Sequence, residues 1–277
     1  MRKTWKEAAL GLLNVLFVVA VIVVSQLWLQ KHFRAAGAAL LAVICLGTYI
    51  AGSQWIERRT PTELSIRFAL PELGAGMLCG LVLFSSVMVI LLACGVYHLS
   101  AWGTKSQLAG GFVLAVLAGI VEEILFRGLL FRLSAKLIGT WGALALTAAL
   151  FGAAHAANRG ATLSSSIAIA VEAGILLGAA YSATTRLWLP IGLHVGWNFT
   201  EGSLFGMTLS GNKMASGLVG GSLSGPRILT GGEFGPEASV IAVIVCVAAA
   251  VYLIRRTIKL QRVEPPVWSK PAQSQKT

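Results

Sequence analysis

The chain has 277 residues, 56% apolar and only 12% charged, with a mean hydropathy of +0.77. A soluble domain carries about 25% charged residues, so this composition excludes a disordered chain, a nucleic-acid module and an ordinary soluble enzyme, and points to a polytopic membrane protein. The 22 Lys and Arg outnumber the 11 acids, and at this hydropathy the surplus reads as loop cations that orient the chain in a bilayer.

A helix needs about 20 apolar residues to cross the hydrocarbon, and eight candidate spans appear in chain order. They are Ala8 to Leu29, Ala35 to Ile56, about Leu73 to Tyr97, and Leu108 to about Leu133. The rest are about Thr140 to Ala156, Leu163 to Ala183, Leu187 to about Phe199, and Ala238 to Ile254. The fold class expected is therefore all-α: a transmembrane helical bundle with its site inside. The first span has a basic start (Arg2, Lys3, Lys6). Its apolar run is too long for a signal peptide and no small-x-small cleavage site closes it, so it reads as uncleaved.

The division expected is an N-terminal part of three spans (1–107) with a charged linker at 57–72, a core of four spans (108–200), a Gly/Ser-rich loop (201–237), and a last span with a basic tail (238–277). The glycines of the loop argue against regular structure there. Loop cations divide fifteen to six between the two sides. The larger set holds Arg2, Lys3, Lys6, Arg58, Arg59, Arg67, Arg132, Lys136, Arg186 and the tail's six; the smaller holds Lys31, Arg34, Lys105, Arg159, Lys213 and Arg227. By the positive-inside rule both termini are expected in the cytoplasm.

Charge at membrane depth costs about 2.5–3.5 kcal/mol on insertion scales, yet polar residues recur inside these spans. The fourth span carries Glu122, Glu123 and Arg127. At about 100° per residue, Glu123 and Arg127 share a face at the spacing of an ion pair, while Glu122 lies well round the helix and stays free to act. A packing role for the cluster is the plain alternative, but two adjacent carboxylates are costly for packing alone. The fifth span offers Phe151 and His155 among small residues, and the seventh His194 and Asn198, four apart on one face. A neutral imidazole can bind a metal, hydrogen-bond or pass a proton, and an amide can donate to an oxyanion without adding charge. A lone histidine near a span end is more often interfacial; a Glu/His/His/Asn set is harder to explain by packing. Glu172 in the sixth span has no partner in its own helix, and a structural or supporting role ranks above catalysis.

All eleven acids are Glu. That excludes a two-Asp intramembrane protease and a Ser-His-Asp triad. HExxH and a phosphate-binding glycine loop are missing, and Cys45, Cys79, Cys94 and Cys246 are isolated in apolar runs, as small hydrophobes are. Ser203 and Ser222 make a rhomboid-like serine site only a weak alternative.

At these residues the chain resembles the CPBP family of intramembrane proteases, which contains the CAAX prenyl proteases and the bacteriocin-processing and self-immunity proteins. The family pattern EExxxR, FxxxH, HxxxN is met in order by Glu122-Glu123-xxx-Arg127, Phe151-xxx-His155 and His194-xxx-Asn198. The run from Gly178 through Pro190 to His194 also looks like the family's approach to its last motif. The likeness covers roughly Leu108 to Trp197. It implies a membrane endopeptidase in which Glu122 activates water, while His155, His194 and Asn198 hold a metal or stabilise the tetrahedral intermediate; the residue patterns themselves put Glu123, Arg127 and Glu172 in support. His155, His194 and Glu122 would suffice for a zinc site with one open position; the same residues suit a metal-free mechanism. The partners expected are the lipid bilayer and a membrane-associated protein or peptide substrate, CAAX-type C termini among the candidates, with no nucleic acid. A non-catalytic immunity or scaffold protein and a proton-coupled transporter relaying through Glu122, Glu172 and the histidines are the rivals.

Overall fold

The computed structural model describes residues 2–32, 34–103, 108–214 and 217–269. The fold is a bundle of apolar helices: α1 (Arg2–His32), α2 (Arg34–Trp55), α3 (Ala69–Ala93), α4 (Leu108–Glu123), α5 (Arg132–Ala154), α6 (Leu163–Ile169), α7 (Leu176–Thr184), α8 (Trp188–Phe199), the short α9 (Arg227–Thr230) and α10 (Val240–Lys259). π-helical turns at Ile124–Phe131, Ala170–Ile175 and Thr200–Leu204 continue α4, α6 and α8. Leu12, Leu16, Val24, Leu78, Val89 and Ile244 point outward from α1, α3 and α10, as side chains facing lipid do.

Six helical stretches among the described residues are long and apolar enough to cross a membrane. The fourth, Leu108–Ala157, runs for 50 residues and cannot be one straight pass. Phe126 and Phe151, which a straight helix would set about 37 Å apart, meet edge to face with ring centroids 4.7 Å apart. The chain reverses midway between them, at Gly139, whose φ of 74° breaks the helix. A Cβ there would also strike the backbone at Glu264 and Pro266, so glycine is required twice over. Thr140 N donates to Glu264 O at 2.9 Å and Glu264 N donates to Thr140 Oγ at 2.8 Å. The seventh expected span, α8 with its π-helical turn, falls short of that length but lies parallel against α3. Split at Gly139 and counted with α8, the described residues hold eight helical legs, as many as the spans expected.

Two expectations about the connections are corrected. The segment 57–72 is not a simple charged linker. It folds into two 3-10 turns (Thr62–Leu64, Ile66–Phe68) around an ion network. Arg59 bonds Glu57 at 2.9 Å and Glu63 at 2.8 Å, and Arg132 reaches Glu57 at 2.7 Å. Tyr49 also donates to Glu63. Glu57, Glu63 and Arg132 are thereby held largely out of solvent, while Arg58 and Arg67 of the same segment stay exposed. The third span ends earlier than Tyr97, at Ala93, where Gly95 takes a positive φ of 69°. Tyr97–Trp102 then forms β1, antiparallel to β2 (Val219–Leu223) inside the Gly-rich loop. The Tyr97 ring lies against Gly221, where a Cβ would clash, so these glycines admit a cross-strand aromatic instead of preventing structure.

The bundle has a basic end and a far end. Lys136 pairs with Glu7 at 3.5 Å, Arg186 pairs with Glu72, and Arg262 donates to Ala183 O. These contacts gather the start of α1, the 57–72 segment, the Gly139 turn, the 183–187 turn and the tail at one place. Lys105, Lys270 and Lys276 of the sequence count lie outside the described residues. The sheet, the 155–162 turn and the loop after α8 lie at the far end.

Candidate active site

α8 brings its polar face inward because its other face is made of glycine. A Cβ at Gly192 would lie 2.4 Å from Leu73 O, and one at Gly196 would lie 2.2 Å from Met77 O. Those glycines sit flush on α3. His194, two residues from each, therefore points away from α3, and Asn198 follows it one turn on.

Glu123, Arg127 and His194 meet as a buried group. Arg127 Nη1 donates to Glu123 Oε1 at 2.8 Å with neither side chain exposed. His194 Nδ1 lies 3.0 Å from the same oxygen. Arg127 Nη2 donates to Ala173 O at 2.9 Å and Gly174 O at 3.1 Å, carbonyls that the π-helical turn 170–175 turns toward it. The i,i+4 spacing anticipated the pair. The histidine, from another helix, was not anticipated.

Phe151 packs at the centre. Its ring lies 4.9 Å from the Arg127 guanidinium, stacks on His155 at 4.8 Å and meets His194 at 6.4 Å. This is the physical content of the FxxxH spacing: one aromatic seats an arginine and two imidazoles. His155 Nδ1 lies 2.8 Å from Phe151 O. A carbonyl only accepts, so Nδ1 carries the hydrogen and Nε2 is the lone-pair nitrogen of the neutral ring. Glu123, an acceptor already held by Arg127, places the Nδ1 hydrogen of His194 likewise.

Glu122, His155, His194 and Asn198 line one cavity of about 50 Å³, room for several waters. Glu122 Oε2 is buried with no hydrogen-bond partner among the described residues, as are Glu172 Oε2 and both carboxylate oxygens of Glu201. A wider cleft of about 390 Å³ shares Glu122, His155, Asn198 and Ser210 and is lined further out by Asn158 and Asn212. The cleft leads from the far end of the bundle into the cavity.

The cavity reaches past 108–200, to Ser210, Glu237 and Cys246. Glu172 is 2% exposed, faces the cavity and neighbours Glu237. Glu201, wholly buried, lies beside Glu237 in turn. Ser210 N donates to Glu237 Oε1 at 2.6 Å. Sequence reasoning missed Glu201 and Glu237. Glu201 was in reach of it: His194, Asn198 and Glu201 stand at i, i+4 and i+7, one face of a helix. Nothing in the sequence marks Glu237, which enters from the loop before α10.

Among the described residues, no three His, Cys, Asp or Glu side chains group so as to hold a metal ion. Each imidazole does have the second-nitrogen partner that a metal-binding histidine uses, Phe151 O for His155 and Glu123 for His194. Ser203 is buried in the π-helical turn after α8, and Ser222 lies in β2. The His98 ring bonds Ser224 instead, at 2.8 Å.

Residues 104–200 match the profile of the family described as type II CAAX prenyl endopeptidase Rce1-like. No curated protein and no solved structure matches the chain. The matched segment carries Glu122, Glu123, Arg127, His155, His194 and Asn198. The chain is an integral membrane protein whose core is similar to that of a membrane endopeptidase family.

Proposed function

We propose that this protein is an intramembrane endopeptidase that hydrolyses a peptide bond of a membrane-associated protein or peptide, with Glu122 as the general base. The observation that carries the reading is the Glu122 carboxylate, one oxygen of which has no hydrogen-bond partner among the described residues, in the same small cavity as two oriented imidazoles and an amide. A carboxylate paired as Glu123 is with Arg127 has its charge spent on structure. One left free beside room for water is placed to take a proton from that water as it attacks a carbonyl.

The division of labour follows from the contacts. Glu122 takes the water proton and returns it to the departing amine. Asn198 donates to the oxyanion of the tetrahedral intermediate. His155 and His194 polarise the scissile carbonyl when their Nε2 atoms are protonated. Arg127 and Glu123 fix α4 against the 170–175 turn and set the His194 ring. Glu172 stands at the back of the cavity in support. CAAX-type C-terminal processing is one candidate substrate class.

Zinc held by His155, His194 and Glu122 is the second reading, favoured by the second-nitrogen partners of both rings. No step above depends on it. Peptides should be compared between membranes bearing the wild-type protein and the Glu122→Gln variant, with and without a chelator, alongside the zinc content of the purified protein. Products that vanish in Glu122→Gln support the protease; identical peptide sets refute it. About one zinc per chain, with cleavage lost on chelation and restored by zinc, selects the metal reading. Full, Glu122-dependent activity of metal-free protein rejects it.

A further inference from the structure

We infer that the cleft opens on the extracytoplasmic side of the membrane, so that the substrates are extracytoplasmic stretches of membrane-anchored proteins and not cytoplasmic C termini. This rests on the protease reading for what is cut, but not for where the cleft opens.

Two independent observations carry it. The first is where the cleft lies. The second leg of α5 starts at Gly139, at the basic end, and runs away from it to His155 and Asn158. α8 starts beside Arg186, also at the basic end, and runs away from it to Asn198. Ser210 and Asn212 belong to the loop beyond. That loop lies against the 155–162 turn: Asn158 donates to Ser210 O at 3.0 Å. Every residue lining the mouth of the cleft therefore sits toward the far end, and Glu122 lies part way down α4.

The second is charge. The contacts of Lys136 with Glu7, Arg132 with Glu57, Arg186 with Glu72 and Arg262 with Ala183 put the basic segments on one side of the bundle. With Lys105, Lys270 and Lys276 left aside, thirteen Lys and Arg flank the spans at that end and five at the other. Glu7, Glu57, Glu63, Glu72 and Glu264 share the basic end, but acids contribute little to orientation, which follows the count of cations near the span ends. The basic end is then cytoplasmic, and the mouth of the cleft, at the other end, is not.

The test uses the full chain in a bacterial inner membrane, with Cys79→Ala and Cys94→Ala to remove the exposed native thiols. Asn212→Cys probes the mouth of the cleft and Thr60→Cys the basic end; both positions are exposed. A membrane-impermeant maleimide added to intact spheroplasts should label Asn212→Cys and leave Thr60→Cys unlabelled until the membrane is opened. The reverse pattern overturns the inference and leaves the protease reading untouched, because labelling needs no catalysis. In the peptide comparison, Glu122-dependent cuts should map to extracytoplasmic segments. Cuts in cytoplasmic tails overturn the substrate class. The absence of any Glu122-dependent cut, with the labelling as expected, overturns the protease reading and the substrate class and keeps only the orientation.

Discussion

Replacing Arg127 by methionine removes a guanidinium that is wholly buried against a wholly buried Glu123. Breaking a buried pair from one side costs about 3–5 kcal/mol, because the remaining charge is left without its counter-ion. The upper part of that range is expected here, since Ala173 O and Gly174 O lose their donor as well. Against a total stability of about 5–15 kcal/mol, the variant should be markedly easier to unfold. Glu123→Gln keeps an acceptor for the His194 ring while removing the charge. The double variant Glu123→Gln/Arg127→Met should therefore cost less than Arg127→Met alone, with a coupling of about 2–3 kcal/mol. Reversible unfolding in mixed detergent micelles, run on all four proteins, reads this directly. If the two single costs add within about 0.5 kcal/mol, the two charges do not depend on each other and the account of this group is wrong.

Other consequences can be measured in the same preparations. Glu122→Gln should slow cleavage about 10²–10⁴-fold with no loss of melting temperature, because the atom replaced has no hydrogen-bond partner; a large drop in melting temperature would mean that Glu122 is structural. Gly196→Val should cost about 3 kcal/mol, since its Cβ meets Met77 backbone, whereas Gly74→Val, with nothing within 4 Å of its Cβ, should be nearly silent; similar effects at both sites would refute the glycine contact of α3 with α8. Burial pushes the Glu57 carboxyl up, but the Arg132 charge and hydrogen bonds from Asn14, Arg132 and Arg59 outweigh it and hold it below its ordinary 4.5. Its stabilisation is therefore present above about pH 4.5 and lost as pH falls through the lower folded value. Glu57→Gln should flatten that part of an acid unfolding curve, and an unchanged curve would count against the network.

Hydropathy exposed the spans because every crossing helix must hide its backbone from lipid, whatever it packs against. Even the break at Gly139 shows as the gap between the fourth and fifth apolar runs. The Glu123–Arg127 pair was legible because both residues lie on one helix. What joins helices was not: the bond from His194 to Glu123 spans 71 positions and has no local signature. Tyr97 and Gly221 likewise look like a span end and a flexible loop until the strands are paired. The segment 57–72 misled because charges that neutralise one another in space look, in order along the chain, like a solvated run.

The cavity draws its lining from Glu122 at one extreme and Cys246 at the other. A ribosome adding about 5–20 residues per second needs about 6–25 s to pass from the first to the second. For about 2–8 s of that interval, between Asn198 and Glu237, the nascent chain carries Glu122, His155, His194 and Asn198 but neither Glu237 nor the wall that α10 supplies. The site closes only when the final helix is threaded into the membrane.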